Sequence, residues 1–204
     1  KNLKIHYRTK NGIAEAVDDV TFSVESGGTL GLVGESGCGK TTIAKALMRL
    51  LPRNGTIAGG EIIFKGRDLV DLSQDDVRKY RWEEVAMISQ SAMNALNPVA
   101  RVGNQLIEAM QAHRQVSREE ATRRMAEVFD LVGLSIERAR DYPHQFSGGM
   151  KQRAVIAMAL LLEPDLIIAD EPTTALDVLV QDQIILKIKE LLSQLGNAMI
   201  LITH

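Results

Sequence analysis

The sequence lacks the features that mark a secreted or membrane-spanning protein. It has a single cysteine in 204 residues, so no disulfide can form within it, which suits a reducing compartment. Its longest uninterrupted apolar run, residues 154–162, is far shorter than the roughly 20 residues that cross a bilayer. No signal-peptide pattern opens the chain. If a membrane is involved, we expect another polypeptide to supply the spanning segments.

The chain also lacks an excess of charge of either sign. It contains 24 Lys+Arg and 26 Asp+Glu residues, for a formal net charge of −2, whereas nucleic-acid-binding domains carry a basic surface. One stretch, residues 118–124, is locally basic, but Glu119 and Glu120 lie among its arginines, so we interpret it as a solvated helix face. The sequence therefore predicts no nucleic-acid partner.

A glycine-rich segment, GESGCGKTT at residues 34–42, carries the strongest functional signal. It fits G-x-x-x-x-G-K-[ST], the phosphate-binding loop, in which glycines let successive backbone N–H groups point at one phosphate. The apolar run 29–33 before it is typical of a buried strand, and residues 42–51 after it have a helical pattern that stops before Pro52. Lys40 would reach the β- and γ-phosphates, and the Thr41 hydroxyl would hold Mg²⁺. We predict that the chain binds a nucleoside triphosphate.

A pair of carboxylates follows 130 residues after Lys40. The apolar run 166–169 predicts a buried strand that ends in Asp170 and Glu171. Alone, such a pair would more often lie in a solvated loop. Together with a phosphate-binding loop, it favours Asp170 as a ligand of Mg²⁺, directly or through water, and Glu171 as the group that polarises the attacking water.

Hydrophobic periodicity predicts an α/β protein with a helical insertion. Strand patterns alternate with helical ones except between residues 91 and 148, where strand patterns are missing, so we expect a mostly parallel sheet. Alternation predicts half-buried strands at 3–7 and 20–24, and Asn11-Gly12 predicts a hairpin turn. The other predicted strands are 29–33, 61–64, 85–89, 166–169 and 198–203, and the predicted helices are 42–51, 73–80, 102–113, 117–132, 149–162 and 178–195.

Further motifs, all in order, make the chain resemble the ATP-binding-cassette (ABC) ATPases over its whole length. The segment SGGMKQR at 147–153 is similar to the family's signature motif, and TALD at 174–177 is similar to its D-loop. Gln90 resembles the Q-loop glutamine, and His204 resembles the switch histidine. The resemblance implies a P-loop NTPase core with a mostly parallel sheet, an N-terminal antiparallel β subdomain and an inserted α-helical subdomain. We expect one domain, in which 1–90 and 149–204 form the core with the β subdomain and 91–148 form the helical subdomain.

The resemblance also implies ATP and Mg²⁺ as ligands and assigns roles to residues. Glu171 would be the general base, His204 would contact the γ-phosphate and water, and Gln90 would join Thr41 and Asp170 at Mg²⁺. The residues implied to contact ATP are Tyr7, Gly34, Ser36, Gly37, Cys38, Gly39, Lys40, Thr41, Thr42, Ser147, Gly148, Gly149 and Asp177. The last four would act on the nucleotide of an opposing subunit in a head-to-tail dimer.

Two of these assignments have alternatives. Tyr7 would stack on adenine, but its alternation with Leu3 and Ile5 also suits a core aromatic. His204 taken by itself would more often be a polar residue at the end of a strand, and only its place after the other motifs favours the catalytic role.

The residues in and around these motifs resemble those of the di- and oligopeptide importer branch of the ABC ATPases. Phe146 and Met150 stand where Leu and Gln are usual in the signature, and MNALNP at 93–98 and YPHQ at 142–145 are similar to that branch. This implies a peripheral subunit on the cytoplasmic face of the cell membrane. Its partners would be a second ABC ATPase, identical or related, integral-membrane permease subunits and, indirectly, an extracytoplasmic solute-binding protein.

Other functions are alternatives to peptide import. Importers of nickel, glutathione or other solutes use similar ATPases, and a soluble ABC ATPase of DNA repair or translation would belong to a different class. Because family members continue beyond the switch histidine, we expect this chain to be part of a longer domain, with little ATPase activity of its own.

Overall fold

Three sheets, one of them a two-stranded hairpin, and a group of helices make up the computed structural model, which describes residues 1–89, 95–172, 185–186, 188–190, 192 and 196–203. The strands are β1 (Leu3–Thr9), β2 (Gly12–Val20), β3 (Thr29–Val33), β4 (Gly55–Gly59), β5 (Ile63–Phe64), β6 (Arg67–Asp68), β7 (Val85–Ile88), β8 (Leu166–Asp170) and β9 (Ala198–Thr203). The helices are α1 (Lys40–Leu47), α2 (Gln74–Glu83), α3 (Val102–His113), α4 (Arg118–Leu131) and α5 (Gly148–Leu160), with 3₁₀ turns at Leu69–Asp71, Ile136–Arg140 and Pro143–Gln145.

The central sheet is parallel, in the order β3-β9-β8-β7. Its strands are short apolar runs, and β8 is buried along its whole length, as expected of a sheet covered on both faces. Because all four strands point the same way, their carboxyl ends, at Val33, Ile88, Asp170 and Thr203, lie at one edge of the sheet. The prediction of a mostly parallel sheet is confirmed.

An antiparallel sheet, in the order β2-β1-β4, packs beside the first. Its hairpin turn is confirmed, although Lys10 and Asn11 are the turn residues and Gly12 already opens β2. The strand predicted at 20–24 is wrong, because β2 ends at Val20. Phe22 and Val24 pack on the apolar core, and their neighbours in the chain are exposed. The alternation of apolar and polar residues therefore reflects burial of every second side chain and not pairing with another strand.

The helices α3 and α4 lie between β7 and α5 in the chain, where the sequence predicts a helical insertion. The helix α3 has the predicted bounds, and α4 begins after Ser117, whose hydroxyl accepts a hydrogen bond from the Glu120 N–H at 3.1 Å. Leu106, Phe129 and Ile156, one from each of α3, α4 and α5, are fully buried in one apolar cluster. Within the described part of the chain, no helix combines the length and the apolarity that a membrane crossing needs.

The helix α1 ends earlier than predicted, at Leu47 instead of residue 51. Side chains at the end of α2 bind the last carbonyl group of α1 and the two carbonyl groups that follow it. The Tyr80 hydroxyl donates to the Leu47 carbonyl at 3.3 Å, and the Arg81 guanidinium donates to Met48 at 2.8 Å and to Arg49 at 2.6 Å. Burial, together with nearby Arg49, lowers the pKa of Arg81. Arg49 itself has a positive φ of +53°, and the N–H groups of Arg49 and Leu50 donate back to the carbonyls of Ala46 at 2.9 Å and Lys45 at 2.7 Å. This turn, a Schellman motif, ends the helix before Pro52 does.

Candidate nucleotide-binding site

The glycine-rich segment forms a loop between β3 and α1, as predicted. It curls around its own lysine, because the Lys40 ammonium donates to the carbonyls of Gly34 at 2.6 Å and Glu35 at 2.9 Å. The Cys38 sulfur lies 3.8 Å from the same ammonium. The loop thus holds a positive charge at its centre, with Cys38 and Thr41 exposed around it.

Gly39 occupies a position that no other residue could fill without strain. It is the N-cap of α1 with φ +98°, in the left-handed region that favours glycine. A Cβ atom added to it would lie 2.7 Å from the Ala16 carbonyl oxygen of β2. The antiparallel sheet therefore presses directly on the phosphate-binding loop.

The N-terminus of α1 is left available for an anion. The three Ser residues that cap α2, α4 and α5 each accept a hydrogen bond from a backbone N–H, whereas Gly39 has no side chain to do so. Among the described residues, the first turn of α1 contains no acidic side chain. Its first N–H groups and the positive end of the helix dipole therefore favour a phosphate group.

Asp170 and Glu171 lie at the same edge of the sheet as this loop. The strand β9 separates β8 from β3, so the two strand axes are about 10 Å apart. Asp170 ends β8 with only 2% of its surface exposed. A buried carboxylate and an exposed threonine hydroxyl, Thr41, are hard oxygen donors of the kind that Mg²⁺ prefers.

The backbone at Glu171 is strained. Its φ of +48° is uncommon for a residue other than glycine, and its N–H donates to the Ile202 carbonyl of β9 at 3.0 Å. This bond and the β8–β9 pairing hold Glu171 just beyond the strand end. Strain of this kind persists where the surrounding structure over-determines a position, often at a functional site.

The signature segment opens α5. The Ser147 hydroxyl caps the helix by accepting from the Met150 N–H at 3.3 Å, and Gly148 and Gly149 form the exposed to half-buried start of the helix. Gln152, which is 2% exposed, donates from its side-chain amide to the Pro172 carbonyl. The start of α5 is thereby tied to the chain that follows Glu171. The sequence motifs assign no role to Gln152, and its polarity on a buried helix face is the signal that points to one.

Tyr7 lies beside the phosphate-binding helix. Leu3 and Ile5 are buried, but Tyr7 is half-buried, and its hydroxyl lies 3.3 Å from the Thr42 hydroxyl in the first turn of α1. A core aromatic and a nucleotide-contacting aromatic are both compatible with this position. Three predicted site residues, Gln90, Asp177 and His204, lie outside the described residues.

Comparisons with known proteins agree with this geometry. Residues 17–174 match the family described as ABC transporter. The whole chain is 48% identical to the oligopeptide transport ATP-binding protein OppD of Escherichia coli and 46% identical to the dipeptide transport ATP-binding protein DppD of Bacillus subtilis. It spans 61% and 62% of these two relatives, or about three fifths of their length.

Solved structures of similar fold point the same way. The ATP-binding cassette MJ0796, solved as a dimer in a post-hydrolysis state with ADP and Pi, superimposes with a TM-score of 0.90 at 28% identity, over 100% of this chain and 86% of that one. A second dimeric structure of MJ0796, described as a bacterial ABC transporter cassette, superimposes equally well. The ABC ATPase fold predicted from the motifs is therefore confirmed, and the chain belongs to the ABC transporter family.

Proposed function

We propose that this chain is the ATP-binding and ATP-hydrolysing part of a membrane importer for dipeptides or oligopeptides. One observation carries the ATPase part of the proposal: the parallel sheet brings the Lys40 loop and the Asp170-Glu171 pair to one edge, with a single strand between them. The printed names of the relatives support the importer and the peptide substrate, since they describe oligopeptide and dipeptide transport ATP-binding proteins.

The phosphate-binding loop would hold the triphosphate of ATP. Its backbone N–H groups and the Lys40 ammonium would bind the phosphate oxygens, with Lys40 exchanging its bonds to the Gly34 and Glu35 carbonyls for bonds to the ligand. The loop residues assigned to this contact are Gly34, Ser36, Gly37, Cys38, Gly39, Lys40, Thr41 and Thr42. Tyr7 would contact the adenine ring, because its hydroxyl already reaches the first turn of α1.

Glu171 would act as the general base. It would accept a proton from the water whose oxygen attacks the γ-phosphorus, while the bond from that phosphorus to the bridging oxygen of ADP breaks. The left-handed backbone of Glu171 and its hydrogen bond to Ile202 would fix the direction of the carboxylate. Gln90 and His204 are proposed to assist by contacting the water and the γ-phosphate.

Mg²⁺ is proposed to bind with the nucleotide. Thr41 and Asp170, with Gln90, would hold it, and it would neutralise charge on the phosphate oxygens. The fit rests on the donor set, since Asp170 is a buried carboxylate at the edge where Thr41 is exposed.

A second copy of this domain, or a related one, would complete each site. The Ser147-capped start of α5 offers backbone N–H groups at a helix N-terminus without an acidic side chain in its first turn, which suits a phosphate held by the opposing subunit. Ser147, Gly148, Gly149 and Asp177 are proposed to act in this way. The dimeric MJ0796 cassettes support such an assembly.

The other proposed partners follow from the proposed role in a membrane importer. We propose integral-membrane permease subunits, an extracytoplasmic solute-binding protein that acts through them, and a position at the cytoplasmic face of the membrane. Residues 91–148 would form the helical subdomain that contacts the permease, and 1–90 with 149–204 would form the core.

The importer proposal is tested by purifying the full-length protein from gently solubilised membranes and identifying its companions. Two integral-membrane subunits and a second ATPase are expected. Recovery of a cytosolic protein bound only to DNA or ribosomes would overturn the importer and leave the ATP site intact.

The catalytic proposal is tested with Glu171→Gln in the assembled complex. Removing a general base is expected to lower kcat by about 10²–10⁴-fold while Mg·ATP still binds. A Glu171→Gln complex that hydrolyses ATP at the original rate would show that Glu171 is not the base.

A further inference from the structure

We propose that Gly55, a residue of β4 outside the phosphate-binding loop, positions Tyr7 for the adenine ring. The inference rests on the proposed ATP site and adds to it a residue that leaves space for the ring of Tyr7. It is a positioning role, because Gly55 would act on the nucleotide only through Tyr7.

Gly55 directly faces Tyr7 across the sheet. In the β1–β4 pairing, Tyr7 is opposite Gly55, and in the β1–β2 pairing it is opposite Ala14. Residues directly opposite each other in an antiparallel pair project to the same face, so the tyrosine ring stands between two of the smallest residues. Neither of these neighbours has a side chain that extends over the ring.

Space, and not backbone conformation, requires a glycine at position 55. Its φ lies outside the left-handed region, so another residue could adopt the same backbone. A Cβ atom added there, however, would lie 2.7 Å from Cε1 and 3.1 Å from Cδ1 of Tyr7. One edge of the tyrosine ring thus rests directly on the α-carbon of Gly55.

The ring is held at a second point by its hydroxyl. That group lies 3.3 Å from the hydroxyl of Thr42, in the first turn of the helix that begins at the phosphate-binding loop. The ring edge on Gly55 and the hydroxyl beside Thr42 together set the distance of the ring from the phosphate site. Tyr7 is half-buried, so it retains surface on which a base can stack.

The backbone around Gly55 cannot easily retreat from a larger side chain. The Gly55 N–H donates to the Pro52 carbonyl at 2.8 Å, the Arg8 N–H donates to the Asn54 carbonyl at 2.7 Å, and the Asn54 side chain donates back to Arg8 at 3.1 Å. A methyl group at position 55 would therefore displace the Tyr7 ring, by about 1 Å if ordinary carbon–carbon separation is to be restored. The hydroxyl contact with Thr42 would be disturbed with it.

The same strand supplies a matched control. Gly59 faces Lys4 in the β1–β4 pairing, also lies outside the left-handed region, and a Cβ there would come no closer than 3.8 Å to the Lys4 side chain. Gly55→Ala and Gly59→Ala therefore make the same chemical change in one strand, and only the first meets the tyrosine.

The experiment measures the Kd of Mg·ATP and of inorganic tripolyphosphate by calorimetry on the full-length protein. Gly55→Ala is expected to weaken Mg·ATP binding about tenfold, within the range that loss of base stacking on an aromatic ring produces, and to leave tripolyphosphate binding unchanged. Gly59→Ala should change neither. Equal Mg·ATP affinities of the two variants would overturn the proposal.

A double-mutant cycle separates positioning from a general structural effect. In a Tyr7→Ala background, Gly55→Ala should cause no further loss of Mg·ATP affinity, because the residue through which it acts is gone. A tenfold loss that persists in that background would refute the positioning role. If the unmodified protein bound tripolyphosphate and ATP no better than background, the proposed function itself would fail, and the two failures are therefore distinguishable.

Discussion

Replacing Gly39 with alanine should destabilise the protein more than the same change at Gly37. Both residues belong to the phosphate-binding loop and both have positive φ, of +98° and +83° respectively. An alanine at either position therefore carries the cost of a left-handed backbone, about 1–2 kcal/mol. Their surroundings differ, because a Cβ at Gly37 would meet no atom within 4 Å, whereas at Gly39 it would lie 2.7 Å from the Ala16 carbonyl oxygen.

The second cost at Gly39 comes from overlap with strand β2. Besides the Ala16 oxygen, the added carbon would lie 3.3 Å from a methyl group of Val17, a buried residue of the core. The first neighbour is backbone and cannot rotate away, so the loop or the strand must move, which costs about 1–3 kcal/mol in a packed region. We expect a loss in free energy of unfolding of about 1–2 kcal/mol for Gly37→Ala and about 2–5 kcal/mol for Gly39→Ala.

The assay is urea denaturation of the full-length protein without nucleotide, followed by circular dichroism, with Gly37→Ala as the matched control. Leaving nucleotide out matters because a ligand that binds only the folded protein would add its own stabilisation. Equal midpoints for the two variants would refute the reasoning, since they would mean that the close approach of β2 to the loop does not constrain it in solution.

Two further predictions concern single side chains. The exposed thiol of Cys38 lies 3.8 Å from the Lys40 ammonium in the loop that would hold phosphate, so Mg·ATP should slow its alkylation several-fold, as followed by mass spectrometry; equal rates with and without Mg·ATP would place Cys38 outside the nucleotide footprint. Arg81→Met should lower the free energy of unfolding by about 2 kcal/mol, because the carbonyls of Met48 and Arg49 lose a charged donor, whereas Arg78→Met, at an exposed position of the same helix, should change it by less than about 0.5 kcal/mol.

Elements with strong local signals could be predicted from the sequence. The helix α3 and the strand β9 have the predicted bounds, because an apolar pattern of the right period is bounded in each case by residues that interrupt it. The start of α4 was predictable from Ser117, since an N-cap acts on its own first turn. The phosphate-binding loop belongs to the same class, because strand, glycines, lysine and helix follow one another within a few residues.

Elements that depend on distant partners could not be predicted as well. The strand β4 was missed because GTIAG carries glycine at both ends, which by itself indicates a turn, and it is a strand because it pairs with β1. The end of α1 was predicted too late because the helical pattern continues to Pro52, whereas the helix ends in a turn with Arg49 in the left-handed region. Arg81, more than thirty residues further along the chain, binds the Met48 and Arg49 carbonyls of that turn. Propensity acts over a few residues and cannot anticipate such contacts.

The chemical groups of the site could all be identified from local stretches of the sequence. The loop that holds Lys40, the acidic strand end at Asp170-Glu171 and the serine-capped signature helix each follow from a short stretch whose residues act on one another. These motifs, in their order, were enough to identify the family and to predict an α/β fold.

The placement of these groups, in contrast, depends on tertiary packing. The order β3-β9-β8-β7 brings the loop and the carboxylates to one edge, although 130 residues separate Lys40 from Asp170. The same long-range packing sets the ring of Tyr7 on Gly55 and beside Thr42, and presses Ala16 against Gly39. Strand order and close approach depend on the burial of apolar surface shared by the whole chain, and a local pattern carries no information about which distant segment will cover it.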